Sequence, residues 1–353
     1  MHIPDGYLGP KTWATCYALV APFWWHAWRY MRTRLATMEI PHVALASAFV
    51  FVVMMFNVPL PGGTTGHVVG ASLVAIALGV WPAVLAVSLA LAIQCFVFGD
   101  GGITALGANC LNMAVIQVFV TAGVWNFGRP KDLQANPTQT FGAAFAAGYV
   151  GLVAAAFATS VQFGLQPVLE RTADGTPLYC PFPLRIAVPV MVISHLLVGI
   201  MEGAVTGFAI LALARNRSAI STDMQLAPRP GLYKSWRFWV SAAVVVLLVP
   251  VGIFLPHYFG AGDAWGEWSP EDLAKEARMA EPPAGLAKNA DLWNPPVPDY
   301  AFSPTESKAV ESVQYIVAAI AGVILISLVF LLLGRLQRRR LGNIPPPGTH
   351  AAG

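Results

Sequence analysis

The sequence predicts an all-α membrane protein that crosses the bilayer many times. Three observations carry this: 56% of the 353 residues are hydrophobic, only 11% are charged, and the apolar residues gather in runs of spanning length. An ordinary soluble domain carries about 25% Asp, Glu, Lys and Arg. The 32 glycines and 28 prolines sit among those runs instead of replacing them, which excludes a disordered or collagen-like chain. The net charge of +3 is small and the basic residues cluster at run ends, so no nucleic acid partner is expected. Cys16, Cys95, Cys110 and Cys180 lack any Cys-x-x-Cys spacing, so neither a disulfide framework, a zinc knuckle nor a redox pair is expected.

A helix needs about 20 mostly apolar residues to cross the hydrocarbon core. By that measure the spans run over residues 13–28, 43–58, 68–80, 82–98, 103–125, 141–163, 186–214, 238–255 and 309–334. The stretch 68–98 is too long for one crossing and holds Trp81-Pro82 near its middle. Proline removes a donor and clashes with the preceding turn, so two short helices are expected there. Residues 1–220 read as a seven-span core. Residues 221–353 read as an appended module of two spans around a polar, partly flexible loop at about 257–308, rich in Pro, Ala, Asp and Glu. Gly66-x-x-x-Gly70 and Gly199-x-x-x-Gly203-x-x-x-Gly207 offer the small-residue spacing that lets helices approach in lipid.

With nine crossings the two chain ends lie on opposite sides, and the basic residues choose between them. One set of connections holds Arg29, Arg32, Arg34, Arg129, Lys131, Arg215, Arg217, Arg229, Lys234, Arg237, Arg335, Arg338, Arg339 and Arg340; the other holds Lys11, Arg171, Arg185, Lys275, Arg278, Lys288 and Lys308. The first set is twice the second, which puts the N-terminus outside and the C-terminus in the cytoplasm, in a multi-pass plasma (inner) membrane protein. The opening Met-His-Ile-Pro-Asp-Gly-Tyr-Leu-Gly-Pro lacks the positive start of a secretory signal. The bulky His2 also disfavours removal of the initiator residue, so the chain is expected to begin with the α-amine of Met1.

Ionisable groups inside a membrane are costly and mark function by default. Glu202 is the one carboxylate well inside an apolar run, with His195, Gly199 and Thr206 on its helix face. Such a set either locks helices together or touches a substrate. Asn109 and Asn112 form a second polar cluster beside Met113, and buried amides satisfy loops as readily as ligands. His26, His42, His257 and His350 lie near span ends or in loops and read as interfacial or solvated.

The first two residues carry the most specific chemistry. The Met1 α-amine, the His2 backbone nitrogen and a His2 imidazole nitrogen can close a five-membered and then a six-membered chelate ring on one ion. Planar nitrogen coordination favours Ni(II) or Cu(II) over Zn(II), Mg(II) or Ca(II). One equatorial position then remains, and His67 is a candidate for it: it follows Pro61-Gly62-Gly63-Thr64-Thr65-Gly66 and opens a span on the same side as the N-terminus. A histidine at a helix start is otherwise a satisfied interfacial residue. The short tail, with Pro4 to stiffen it and only Asp5 charged, is suited to insertion among the helices.

These residues resemble a family. Met1-His2-Ile3-Pro4-Asp5-Gly6-Tyr7-Leu8, Pro61-Gly62-Gly63-Thr64-x-Gly66-His67, Gly107-x-Asn109-x-x-Asn112-Met113 and Ser194-His195-x-x-x-Gly199-x-x-Glu202-Gly203 are similar to the substrate-capture membrane subunit of cobalt/nickel energy-coupling-factor transporters, the CbiM/NikM type. The resemblance covers residues 1 to about 215. It implies a seven-helix subunit with its N-terminal loop folded into the centre, holding Ni(II) or Co(II) through Met1, His2 and His67, and with no intrinsic cofactor. Asn109, Asn112, His195 and Glu202 would support that set. It also implies partners in other chains: a transmembrane coupling subunit and cytoplasmic ATPases, since this sequence has no Gly-x-x-x-x-Gly-Lys-Ser/Thr phosphate loop. The tail resembles the two-span accessory subunit (CbiN/NikN) of such systems, with Pro270-Glu271-Asp272-Leu273-Ala274 as an imperfect form of its Pro-Asp-Gly-Leu-Glu stretch.

Two other functions compete. An intramembrane enzyme would want a His-Glu-x-x-His pair, a Gly-x-Ser-x-Gly elbow or paired aspartates, none of which is present, so no enzyme is expected. A proton-coupled secondary divalent-metal permease would use Glu202 as carrier. Such carriers often show internal repeats, and no convincing repeat is found.

Overall fold

A computed structural model describes residues 1–34, 40–215 and 235–342. The junction near residue 220, Arg217, Arg229 and Lys234 of the charge count, and His350 lie outside the described residues.

An extended segment, residues 1–9, precedes helix α1 (Pro10–Arg34), and α2 (Ile40–Met54) follows. The next stretch, expected as a loop between spans 43–58 and 68–80, takes a defined form. After α2 the chain forms a two-stranded antiparallel hairpin, β1 (Asn57–Leu60) and β2 (Thr64–His67), in which Asn57 pairs with His67 and Leu60 with Thr64. Gly62 and Gly63 turn it with φ of +95° and +78°, a conformation that costs glycine little. Gly66 therefore sits in a strand, and Gly66-x-x-x-Gly70 is not a helix-packing pair.

Helix α3 (Ala71–Leu78) has eight residues, about 12 Å at 1.5 Å per residue, well short of a crossing by itself. It ends at Gly79, whose φ is +89°, and α4 (Val80–Ile93) begins at once. The break expected at Trp81-Pro82 thus falls earlier. Pro82 lies in the first turn of α4, where the missing donor is harmless, and glycine makes the bend. A π turn over Gln94–Phe98 ends this helix, and another over Cys110–Ile116 joins α5 (Leu106–Asn109) to α6 (Gln117–Gly128).

The long helices α7 (Pro137–Leu169) and α8 (Leu184–Arg215) pack side by side. Gly199, Gly203 and Gly207 face Tyr149, Phe145 and Phe141 in step, each close enough that a Cβ would crowd the partner ring. This glycine ladder does what its spacing implies. The far face of α8 shows Ile193, Leu197, Ile200 and Phe208 to the surroundings, as a lipid-facing helix does.

The tail adds α9 (Trp236–Leu248), α10 (Val251–Tyr258) and α13 (Lys308–Gly342). Among the described residues six helical stretches are long and apolar enough to cross a membrane: Val80–Phe98, Leu106–Gly128, Pro137–Leu169, Leu184–Arg215, Trp239–Tyr258 and Lys308–Leu336. The connecting loop, read as partly flexible, carries α11 (Pro270–Glu276) and α12 (Ala284–Asn289). It lies over one end of the core. Trp265 and Trp268 pack at an angle against Phe182, Trp265 also meets Phe163, and Val297 donates to the Val97 carbonyl at 3.0 Å. The aromatic residues, lost in a composition dominated by Pro, Ala and acids, are what seat it. Pro270-Glu271-Asp272-Leu273-Ala274 opens α11, capped by Ser269, whose hydroxyl accepts from the Asp272 amide at 3.1 Å.

Candidate metal centre

The first nine residues form a plug in the core. Ile3, Tyr7 and Leu8 are buried, and so are Met1 and His2. Burial of an extended strand leaves its peptide groups needing partners, and the core supplies them. The Asn109 amide does so twice, accepting from the Ile3 N–H at 2.9 Å and donating to the Ile3 carbonyl at 3.2 Å. Gly102 also donates to that carbonyl at 2.8 Å, Gln166 accepts from Gly9 at 2.8 Å, and Cys180 donates to the Tyr7 carbonyl at 3.1 Å. The Asp5 carboxylate accepts from the Ile103 and Thr104 amides and the Thr104 hydroxyl. A Cβ on Gly102 would lie 2.2 Å from the Asp5 nitrogen, so only glycine lets this loop approach the plug.

The plug carries His2 to the end of β2. The His2 and His67 rings stack with centroids 4.9 Å apart and planes 19° from parallel. His67 Nδ1–H donates to the Val68 carbonyl at 3.1 Å, which leaves Nε2 with its lone pair available as a ligand. Burial, then the Met1 ammonium and His2, hold His67 well below the usual imidazole range. That direction favours the neutral ring that a metal ligand must be. His67 Nε2 and His2 Nε2 are both buried with no hydrogen-bond partner. Such atoms are uncommon and call for an explanation.

Two carboxylates absent from the sequence-based set meet this centre. Asp100 Oδ1 lies 2.6 Å from His2 Nδ1, and the Tyr300 hydroxyl donates to Asp100 Oδ2 at 2.6 Å. Burial alone would raise the Asp100 pKa, but His2 and the Tyr300 hydroxyl hold it below the usual carboxylate range. Glu267 accepts from the Met1 ammonium at 2.8 Å. Asp100 stands in Gly99-Asp100-Gly101-Gly102 at the end of an apolar run, a signal the sequence did offer. Nothing near Glu267 in sequence marks it.

The remaining expected residues separate. Asn109 touches the plug. Asn112 does not: its amide donates to Thr159 Oγ1 at 3.0 Å and to Gln162 Oε1 at 2.9 Å, and Gln162 returns a bond at 2.7 Å, tying the π turn to α7. Glu202 Oε2 accepts from the Val69 and Gly70 amides at 2.9 Å, while Oε1 accepts from Gln117 Nε2 at 3.0 Å. The carboxylate thus caps α3 and pins the backbone just beyond His67. His195 Nδ1–H donates to the Met191 carbonyl at 2.8 Å.

Among the described residues no group of three or more His, Cys, Asp or Glu side chains is arranged to hold a metal ion. Ion binding at this plug would therefore draw on backbone nitrogens. The amine, the His2 amide and imidazole and His67 Nε2 suit a borderline cation such as Ni(II) or Co(II) better than Ca(II) or Mg(II).

The profile described as the cobalt uptake substrate-specific transmembrane region matches residues 2–220, and that of the PDGLE domain matches residues 236–339. The fused nickel transport protein NikMN of Rhodobacter capsulatus is 42% identical over 340 residues, 92% of this chain and 95% of the relative. The probable fused nickel transport protein LarMN of Lactiplantibacillus plantarum is 36% identical, over 95% of this chain and 97% of its own. A crystal structure of a truncated transition metal transporter superposes with a TM-score of 0.56 at 44% identity, covering 62% of this chain and all of that one. The chain belongs to the CbiM family of cobalt- and nickel-transporting membrane proteins, with a PDGLE domain fused behind its transport region.

Proposed function

We propose that this chain is the substrate-capture subunit of an ATP-driven, energy-coupling-factor importer for Ni(II) or Co(II). The observation that carries the reading is the buried amino terminus: Met1 and His2 are buried, the His2 ring stacks on His67, and His67 Nε2 lacks a partner. The ion is held by the Met1 amine, the His2 amide and Nδ1, and His67 Nε2. In the structure the amine faces Glu267 and His2 Nδ1 faces Asp100. Coordination exchanges these two bonds, and the displaced carboxylates remain nearby to offset the charge of the cation.

Energy comes from ATPases and a coupling subunit in other chains, with the N-terminus outside the cell. The chain itself is a carrier without catalytic groups. A proton-coupled permease is disfavoured by the geometry of Glu202, whose oxygens accept several hydrogen bonds at an α-helix N-terminus. Those bonds give the carboxylate a structural task, holding the backbone just beyond His67.

Uptake of nickel by sealed vesicles tests the reading. With the coupling and ATPase subunits present, uptake is expected to require ATP and to survive collapse of the proton gradient. Uptake by this chain alone, abolished by an uncoupler, would install the permease in its place.

A further inference from the structure

A cavity of about 820 Å³ runs from the buried His2 and His67 rings to exposed Pro304 and Thr305. Its titratable lining beyond the two rings is Asp100, Asp263, Glu267, Asp299, Glu311 and His257, together with Tyr300 and Tyr315; no lysine or arginine lines it. Most of these carboxylates have partners: Asp100 has His2 and Tyr300, Glu267 has the Met1 ammonium, and Glu311 has Lys308 at 3.1 Å. Asp263 and Asp299 are different. Neither carboxylate has a hydrogen-bond or ion-pair partner among the described residues, and both come from the loop between the tail's membrane helices.

Acidic groups alone do not make a site, but this cavity ends on two imidazole nitrogens, in residues only 3% and 5% exposed, that lack any partner. Asp299 is held in place by a left-handed backbone, φ +51°, beside Tyr300, which anchors the same turn to Asp100. Partial burial, with Asp100 and Asp263 acting on Asp299 and with Glu267 and Asp272 acting on Asp263, pushes both above the usual carboxylate range. Two uncompensated negative charges lining one cavity are relieved by a cation.

We propose that Asp263 and Asp299 form an acidic vestibule that draws the hydrated divalent cation toward the amino-terminal chelate. The inference rests on the capture reading above and adds to it a task for the fused module, that of speeding loading. A cleft lined by one sign of charge concentrates counter-ions and raises association rates by about 10- to 1,000-fold. The effect depends on screening, since the Debye length shrinks from about 30 Å at 0.01 M salt to about 3 Å at 1 M.

The test is stopped-flow absorbance with nickel chloride and the full chain in nanodiscs, across ionic strength. Asp263→Asn and Asp299→Asn keep shape, and asparagine tolerates the left-handed backbone at 299. The double variant is expected to bind nickel about tenfold more slowly than wild type at low salt, and equally fast near 1 M salt. Its dissociation rate and absorption spectrum should match wild type, as should all parameters of Glu306→Gln, an exposed carboxylate outside the cavity. Equal association rates at low salt would overturn the vestibule while leaving capture intact. So would faster dissociation at an unchanged association rate, which would make the two aspartates ligands. A wild-type chain that binds no nickel would overturn the capture reading, and the vestibule with it.

Discussion

Two buried polar clusters in the same bundle are built in opposite ways. Around Glu202, the acceptors meet amides and side chains fixed in the core: Val69, Gly70 and Gln117, with Ser72 beside them. Around His2 and His67, two ring nitrogens have no partner, and the carboxylates that approach come from loops, one of them 266 residues away in the chain. Both Glu202 oxygens are satisfied, and a buried charge held in that way rigidifies what surrounds it. A network with unmatched donors and replaceable partners is suited to exchange them for an ion. The first cluster holds the hairpin and α3 so that the second keeps its geometry.

The sharpest way to break that contrast is to truncate one residue in each cluster. His67→Ala should weaken nickel binding by more than about 100-fold, beyond the range for losing a group that only supports a metal ligand. Isothermal titration on the full chain measures it, and size-exclusion elution checks the fold. Glu202→Gln should act on stability: an amide group then meets backbone N–H donors, at a cost of about 2 kcal/mol. Denaturant unfolding in detergent reads that loss, and the folded fraction should retain the wild-type nickel spectrum. A Glu202→Gln chain with unchanged stability but no nickel binding would reverse the roles given to the clusters.

A smaller effect separates the two asparagines. Asn109→Ala removes both bonds to Ile3 and should weaken nickel binding about tenfold with an unaltered spectrum, as expected for a positioning residue. Asn112→Ala should leave affinity alone and lower stability by about 1 kcal/mol. Equal losses of affinity in both would mean that the plug is not positioned by Asn109 in particular.

The membrane helices were legible in the sequence because apolar runs report burial in lipid or core directly. Helices such as α7, α8 and α13 follow from that signal, and the ladder at Gly199, Gly203 and Gly207 follows from its spacing. Less legible was the stretch from Asn57 to Gly79. A short hairpin between apolar segments reads only as a glycine-rich loop, and glycine at 79 bends the chain where proline at 82 drew attention. His2 and His67 were readable from donor chemistry. Asp100 left a signal in its glycine-flanked place at the end of an apolar run, whereas Glu267 left none, because its role arises from a contact between segments 266 residues apart. The loop from residue 257 to 308 read as partly flexible for a similar reason, since its order comes from Trp265, Trp268 and Tyr300 docking on the core.

The central claim is that the leading backbone nitrogens of the chain hold the ion. Adding one glycine before Met1 tests it most directly, because the change displaces the amine and spares every side chain. The nickel content and visible absorption of the two purified chains are then compared. The native chain should bind one nickel ion as a yellow, diamagnetic species, the mark of planar coordination, and the extended chain should bind none. An extended chain that takes up nickel as tightly, with the same spectrum, would contradict the account.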